Sequence, residues 1–215
     1  MREFWTIPRW VYPRIKQEIE PAQESERSLM THGISSGQDV ITFLRGQHDQ
    51  IKGLFSHVKS TSGAEREEAF TALRRLLAVH ETAEEEIVHP RARKAIADGD
   101  IVIGARLNEE HKVKQTLSQL EELDVDSPQF VKLFTQLKTD VEAHAEAEEH
   151  QEFSKLADVL DQDGLEKMRT AVERAEKLAP TRPYPGVESA AANLLAGPFA
   201  AMIDRARDAL AGKST

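Results

Sequence analysis

From Gln38 onwards apolar side chains recur every three to four residues, the spacing of a helix that buries one face. Ile41, Leu44, His48, Ile51 and Phe55 share such a face, and Ser36 and Asp39 are placed to cap its start. Ser62-x-x-Glu65 has the form of a capping box. It opens a second helix whose inner stripe reads Leu73, Leu76, Leu77, His80, Glu84 and Ile87. Pro90 is expected to kink or end that helix, and Gly99 to end whatever continues. A third helix is expected over about 101–123, with Ile103, Leu107 and His111 aligned. Asp126-Ser127-Pro128 suits the start of a fourth, because proline fits the first helical turn. Its inner face reads Phe134, Leu137, Val141, His144 and Glu148. Asp163-Gly164 reads as a turn, and 165–178 as a fifth helix. No stretch shows the two-residue alternation of a strand. The pattern predicts an all-α protein, an up-down-up-down four-helix bundle over residues 38–160 with additional C-terminal helices.

The flanks differ. Residues 1–37 read as an appendage, partly disordered, with Trp5, Trp10, Tyr12 and three prolines but no clear apolar face. Met30 is a second candidate for the start of the chain. Residues 161–215 read as a helical extension with a Pro-rich linker at 180–186, followed by an amphipathic helix over 189–210 that Gly197-Pro198 interrupts.

Charge and composition narrow the function. A formal charge of −9 over 215 residues argues against nucleic acid or an anionic membrane as the main partner, since both require a basic surface. The absence of cysteine excludes disulfides, thiolate metal sites and cysteine nucleophiles. The most apolar stretch, 190–203, is too short to span a bilayer, and arginines interrupt the N-terminus where a signal-peptide core would lie. A cytoplasmic protein is the default expectation.

The histidines carry the chemistry. His48, His80, His111 and His144 fall once per predicted helix, separated by 32, 31 and 33 residues, each on an apolar stripe. In a bundle with short loops such positions meet at one level. His80-x-x-x-Glu84 and His144-x-x-x-Glu148 each put two side chains on one face, about 6 Å apart. A lone histidine on an apolar face is ordinarily a hydrogen-bonded core residue, and a lone His-x-x-x-Glu pair an exposed contact. Their joint occurrence is the signal. Buried glutamates cost several kcal/mol unless paired or bound to a metal, and no Lys or Arg is expected at matching positions. Imidazole with carboxylate suits iron, manganese, zinc or copper, and six or more ligands exceed one tetrahedral ion, which favours two metals.

Residues 38–160 resemble the hemerythrin-like, HHE cation-binding family. The resemblance rests on Gly46-Gln-His48-Asp-Gln, His80-Glu-Thr-Ala-Glu84-Glu-Glu-Ile-Val-His89-Pro90, Glu109-Glu-His111-Lys and His144-Ala-Glu-Ala-Glu148-Glu. It implies two non-haem iron ions with an oxo or hydroxo bridge, Glu84 and Glu148 as carboxylate bridges, and His48, His80, His111 and His144 as terminal ligands. The chain departs from oxygen-carrying members in two places. Gln115 stands where they have a second histidine, and the last carboxylate is a glutamate four residues after its histidine rather than an aspartate at five. One imidazole is therefore missing, and His89 is the candidate to replace it. Nine residues from His80 is about 180° around a straight helix, so His89 faces inwards only if Pro90 supports a local bulge. His57 and His150 point away by the same count, and His32 lies in the appendage. The runs of glutamate at 84–86 and 146–149 read as solvated apart from Glu84 and Glu148.

The resemblance makes dioxygen, or a related small ligand such as peroxide or nitric oxide, the expected partner. If His89 does not bind, the site is more open and peroxide decomposition or iron handling becomes the better expectation. A sensor or interaction protein reporting through 165–210, and a metal-free bundle with mutually bonded polar residues, are the remaining readings.

Overall fold

The computed structural model describes residues 39–182, and within them every regular element is helical. The appendage at 1–37, with Met30, and the helix expected at 189–210 lie outside the described residues, as does the 180–186 linker beyond its first three positions. Four antiparallel columns form the bundle. The first is α1 (Val40–Ser60) and the second α2 (Gly63–Ala83), which continues through a π-turn (Glu84–Val88) into α3 (His89–Ala95). The third column is α4 (Gly99–Glu121). The fourth is α5 (Pro128–Glu148), which runs through a second π-turn (Glu149–Phe153) into α6 (Ser154–Val159). A further helix, α7 (Gln162–Leu178), packs on α1, α2 and the first π-turn. None of the described helices is long and apolar enough to cross a membrane.

The ends follow local chemistry, with three corrections. Asp39 caps α1 by accepting from the Thr42 amide at 2.8 Å, and Ser127 caps α5 by accepting from Phe130 at 3.1 Å ahead of Pro128. Ser62 occupies the N-cap of α2, yet its side chain makes no cap bond. Asp126 from the facing loop accepts from the Gly63 amide at 2.9 Å instead, where Gly63 has a φ of +56° that favours glycine. Asp163-Gly164 is the first turn of α7 rather than a loop, because Asp161 caps it by accepting from the Gly164 amide at 2.9 Å. Gly99 opens a helix instead of ending one. A Cβ there would lie 2.3 Å from the Arg93 carbonyl oxygen, so the α3–α4 corner closes only over glycine.

The core has two apolar clusters with a polar layer between them. One end holds Phe55, Phe70, Leu73, Leu117, Phe130 and Phe134 with their neighbours. The other holds Leu44, Val88, Ile103, Phe153, Leu156 and Val172. Along every column His48, His80–Glu84, Glu110 and His144–Glu148 fall between the two clusters, because antiparallel helices bring the middle of each to a common height.

Candidate metal centre

Each column delivers its donors by a recognisable local device. On α1, Gln47 and His48 continue the apolar stripe of Ile41 and Leu44. On α2, His80, Glu81 and Glu84 lie at helix-face spacings of three and four residues, and all three are buried. Beyond them Pro90 cannot donate to the Glu86 carbonyl, and the His89 amide donates instead to Glu84, five residues back. That one-residue insertion removes about 100° of rotation and turns His89 into the core, where it is 2% exposed. The second π-turn follows Glu148 and carries Glu152 and Phe153 inwards.

The third column departs from expectation. His111 is only part-buried, and its Nε2 lies 2.8 Å from the Gln115 amide nitrogen on the outer face. Its neighbour Glu110, 0% exposed, occupies the core. The inward stripe runs Ile103, Arg106, Glu110, Val113, Leu117, Leu120, in alternating steps of three and four. Two charged members hid that stripe, so the apolar Leu107 drew the reading one residue out of register.

Within the polar layer stand four imidazoles and five carboxylates, arranged in three groups, two of which share Glu148, and within each group the donor atoms lie within 4.8 Å of one another. His48, His80, Glu84 and Glu148 form one, Glu81, Glu110 and His144 a second, and His89, Glu148 and Glu152 a third. Of the seven residues read from the sequence the structure brings together six, leaving out His111 and adding Glu81, Glu110 and Glu152. His57 sits near Glu65 at the other end of α1, and His150 is exposed.

Three histidines are held from behind. The Nδ1 of His48 faces Glu149 at 2.9 Å, that of His80 faces Gln47 at 2.8 Å, and that of His144 faces Glu109 at 2.9 Å. An outer acceptor on Nδ1 keeps the proton there and leaves the Nε2 lone pair for the core, the usual arrangement around a ligated metal. The Nε2 atoms of His48 and His144 face Glu148 at 3.4 and 3.2 Å and that of His80 faces Glu84 at 3.2 Å, outside hydrogen-bonding geometry, and one oxygen each of Glu81, Glu110 and Glu152 is also unbonded. Buried polar atoms rarely stay unbonded. So dense a set of orphaned acceptors fits a cation, whose charge and vacant coordination positions would satisfy them.

Electrostatics agree. Burial pushes the Glu84 carboxyl well up, and the charges of Glu148 and Glu81 push it further. Glu81 and Glu110 are raised chiefly by burial too. Burial lowers His80 to about 3, with the His48 charge adding to the effect. Burial also disfavours charge on His89, but the flanking carboxylates of Glu152 at 3.0 Å and Glu110 at 2.5 Å more than reverse it. Contrary to expectation, cations do reach this depth. Lys114 bonds to buried Glu85, so that acid is not solvated, and its charge also acts on Glu81, while Arg106 bonds to part-exposed Glu109.

Imidazoles and carboxylates converging inside a helical bundle define a cation-binding helical protein. The family follows from comparison. Residues 39–156, more than half of the chain, match the hemerythrin HHE cation binding domain, and the chain belongs to that family. A crystal structure of a hemerythrin HHE cation-binding domain-containing protein from Mycobacterium kansasii superimposes with a TM-score of 0.58, at 24% identity over 66% of this chain and 86% of that one, a likeness of fold. A protein named DNA nickase from Nostoc sp. is 25% identical over 169 residues, 77% of this chain. The chain spans 47% of that relative's length.

Proposed function

We propose that the polar layer holds two iron ions and that the resulting centre takes a small oxygen ligand, with peroxide the favoured substrate over reversible carriage of dioxygen. The observation that carries this reading is the excess of carboxylates, five beside four imidazoles, with their inner oxygens unbonded. Three donor groups, two of them sharing Glu148, exceed the needs of one ion, which supports a pair. Iron bound there would supply one-electron steps between its ferrous and ferric states, two electrons for the pair. Anionic oxygen donors favour the more highly charged ferric state, whereas a reversible oxygen carrier depends on a stable ferrous one. The exchange of His111 for Glu110 in the core therefore moves the site away from carriage.

The chain's own residues leave room for a small ligand. A cavity of about 10 Å³, roughly the space of one water, is lined by His48, Lys52, His80, Glu81, Glu142 and His144 on the imidazole side of the layer. Half-exposed Lys52 stands at its edge, and Glu81, raised by burial, can hold a proton beside the reacting position. Phe153 closes the opposite side by stacking on His48 at 5.8 Å. The nickase activity in one relative's name is not part of this reading, because a chain of net charge −9 offers a phosphate backbone little attraction.

Iron analysis of protein from iron-replete cells should give two ions per chain, and the loaded protein should evolve one dioxygen from two hydrogen peroxide molecules. One ion or none refutes the pair. Reversible colour change with dioxygen, without peroxide turnover, would return the site to a carrier.

A further inference from the structure

The outer acceptors of His48 and His144 are glutamates of the matched domain, but the partner of His80 is an amide. An amide does not choose a tautomer by itself. Gln47 can turn either its oxygen or its NH2 group towards the His80 ring, and only the oxygen requires a proton on Nδ1. What decides is the other side of Gln47, where its Nε2 donates to Glu176 Oε1 at 2.6 Å. A carboxylate only accepts, so it draws the NH2 group of Gln47 and leaves the Gln47 oxygen for the imidazole.

Glu176 belongs to α7, which begins after the matched residues end at 156. That helix is fixed independently of the relay. Leu165, Met168, Val172 and Ala175 bury its apolar face, and Arg169 lies over the Phe43 ring of α1 at 5.2 Å. The position of the Glu176 carboxylate is thus set by packing and not by the bond it makes to Gln47.

We propose that Glu176 is a positioning residue of the cation site, which through Gln47 holds the proton of His80 on Nδ1 and presents Nε2 to the core. The proposal rests on the reading of the polar layer as a cation site. A ligating imidazole is neutral, so the two tautomers of His80 are the states that matter. With the proton on Nε2, His80 would aim a donor at the core and could not ligate. α7 is then an addition to the bundle that enforces one ligand's geometry from outside it.

The test uses the full chain, wild type and two variants, Glu176→Gln and the exchange Gln47→Glu/Glu176→Gln. A glutamine at 176 can donate as well as accept, which frees the Gln47 amide. The exchange restores the order, because the carboxylate at 47 accepts from His80 Nδ1 and the amide at 176 donates to it. Nitrogen-15 spectra of the metal-free chains report the His80 tautomer, and competition against a chelator reports affinity for cobalt(II). The single variant should show mixed tautomers and about tenfold weaker cobalt binding, with an unchanged melting temperature. The exchange should recover both to within about twofold of wild type. An unaltered tautomer in Glu176→Gln, or an exchange variant that melts like wild type yet recovers neither readout, overturns the proposal. Wild type that takes up no cobalt overturns the cation reading itself, a failure recognisable because it precedes any substitution.

Discussion

His89 and Glu110 meet across the core with 2.5 Å between Nε2 and Oε1, although neither lies on the face that a straight, apolar-striped helix would present. The π-turn before Pro90 brings the histidine in, and a stripe of alternating three- and four-residue steps on α4 brings the glutamate. Both belong to the donor groups of the polar layer, and His111 does not. His89→Ala and Glu110→Ala should each weaken cobalt(II) or iron(II) binding at least about tenfold, or 1.4 kcal/mol. His111→Ala should leave binding within about twofold. A strong loss in His111→Ala, measured by metal content after gel filtration, would restore the register expected from the apolar pattern.

That pair also marks what was legible in the sequence. Among the described residues, the order of the helices and the caps at Asp39 and Ser127 follow from short-range rules that the structure obeys. His48, His80, Glu84, His144 and Glu148 were legible because apolar neighbours surround them on their stripes. Glu110 was not, since a buried stripe containing Arg106 and Glu110, with Lys114 buried beside it, looks like a solvated face until partners are known. Glu81 and Glu152 had weaker but usable signals, at three residues before Glu84 and four after Glu148. Gln47–Glu176 joins residues 129 apart, and no local pattern points to it.

Removal of metal should cost stability. Nothing in the unfolded chain presents these donors together, so a cation binds the native state preferentially. At a free concentration one hundred times Kd the gain is about 2.7 kcal/mol, which for a chain of this size raises the melting temperature by about 5–10 °C. Calorimetry of stripped and reloaded protein checks this; equal melting temperatures would show that the layer is satisfied without a cation.

The stripped and loaded proteins should respond to pH in opposite directions. Without metal, Glu81, Glu84 and Glu110 have raised folded-state pKa values, mainly through burial. For His89 and His144 the carboxylate neighbours outweigh burial and also raise the value. A group raised on folding stabilises below its unfolded pKa and loses that contribution as pH climbs through the folded one. Glu148 runs the other way: burial opposes its charge, but His144 and His48 hold it well below its ordinary range, so its contribution is lost in acid. The stripped protein should therefore be most stable near about pH 4.5 and weaken from there upwards, first as the three raised carboxyls ionise, a loss that His80, lowered to about 3, offsets only in part, and further above about pH 6.5 as His89 and His144 lose their protons. Metal retention should rise over the same interval, because ligation requires deprotonated donors. Urea midpoints and chelator competition at matched pH values test both slopes.

Gly99→Ala should destabilise by about 1–3 kcal/mol, since its Cβ would lie within 3 Å of three Arg93 backbone atoms that cannot swing aside. The measurement is the urea midpoint of the metal-free chain. A neutral result would mean that the α3–α4 corner opens freely.

Phenylalanines at the two ends of the bundle should separate stability from metal binding. Phe134 packs with Phe55, Phe70 and Phe130 in one apolar cluster. Phe153, in the other, stacks on His48 with ring planes 13° apart. Each is almost fully buried, so truncation to alanine should cost about 3–5 kcal/mol in either case. The consequences for the site differ. Loss of Phe134 leaves a cavity among hydrocarbon side chains and touches no donor, so cobalt affinity should stay within about threefold once binding is measured well below the melting temperature. Loss of Phe153 removes the surface against one face of the His48 ring, which is otherwise held by part-exposed Glu149 at Nδ1 and by the edge-on His80 ring at 5.0 Å. Affinity should then fall about tenfold, the scale seen when support for a ligand is removed. Phe153→Leu, which refills most of the volume but cannot stack, should recover stability more fully than affinity. Parallel recovery of the two would assign the ring of Phe153 to packing alone.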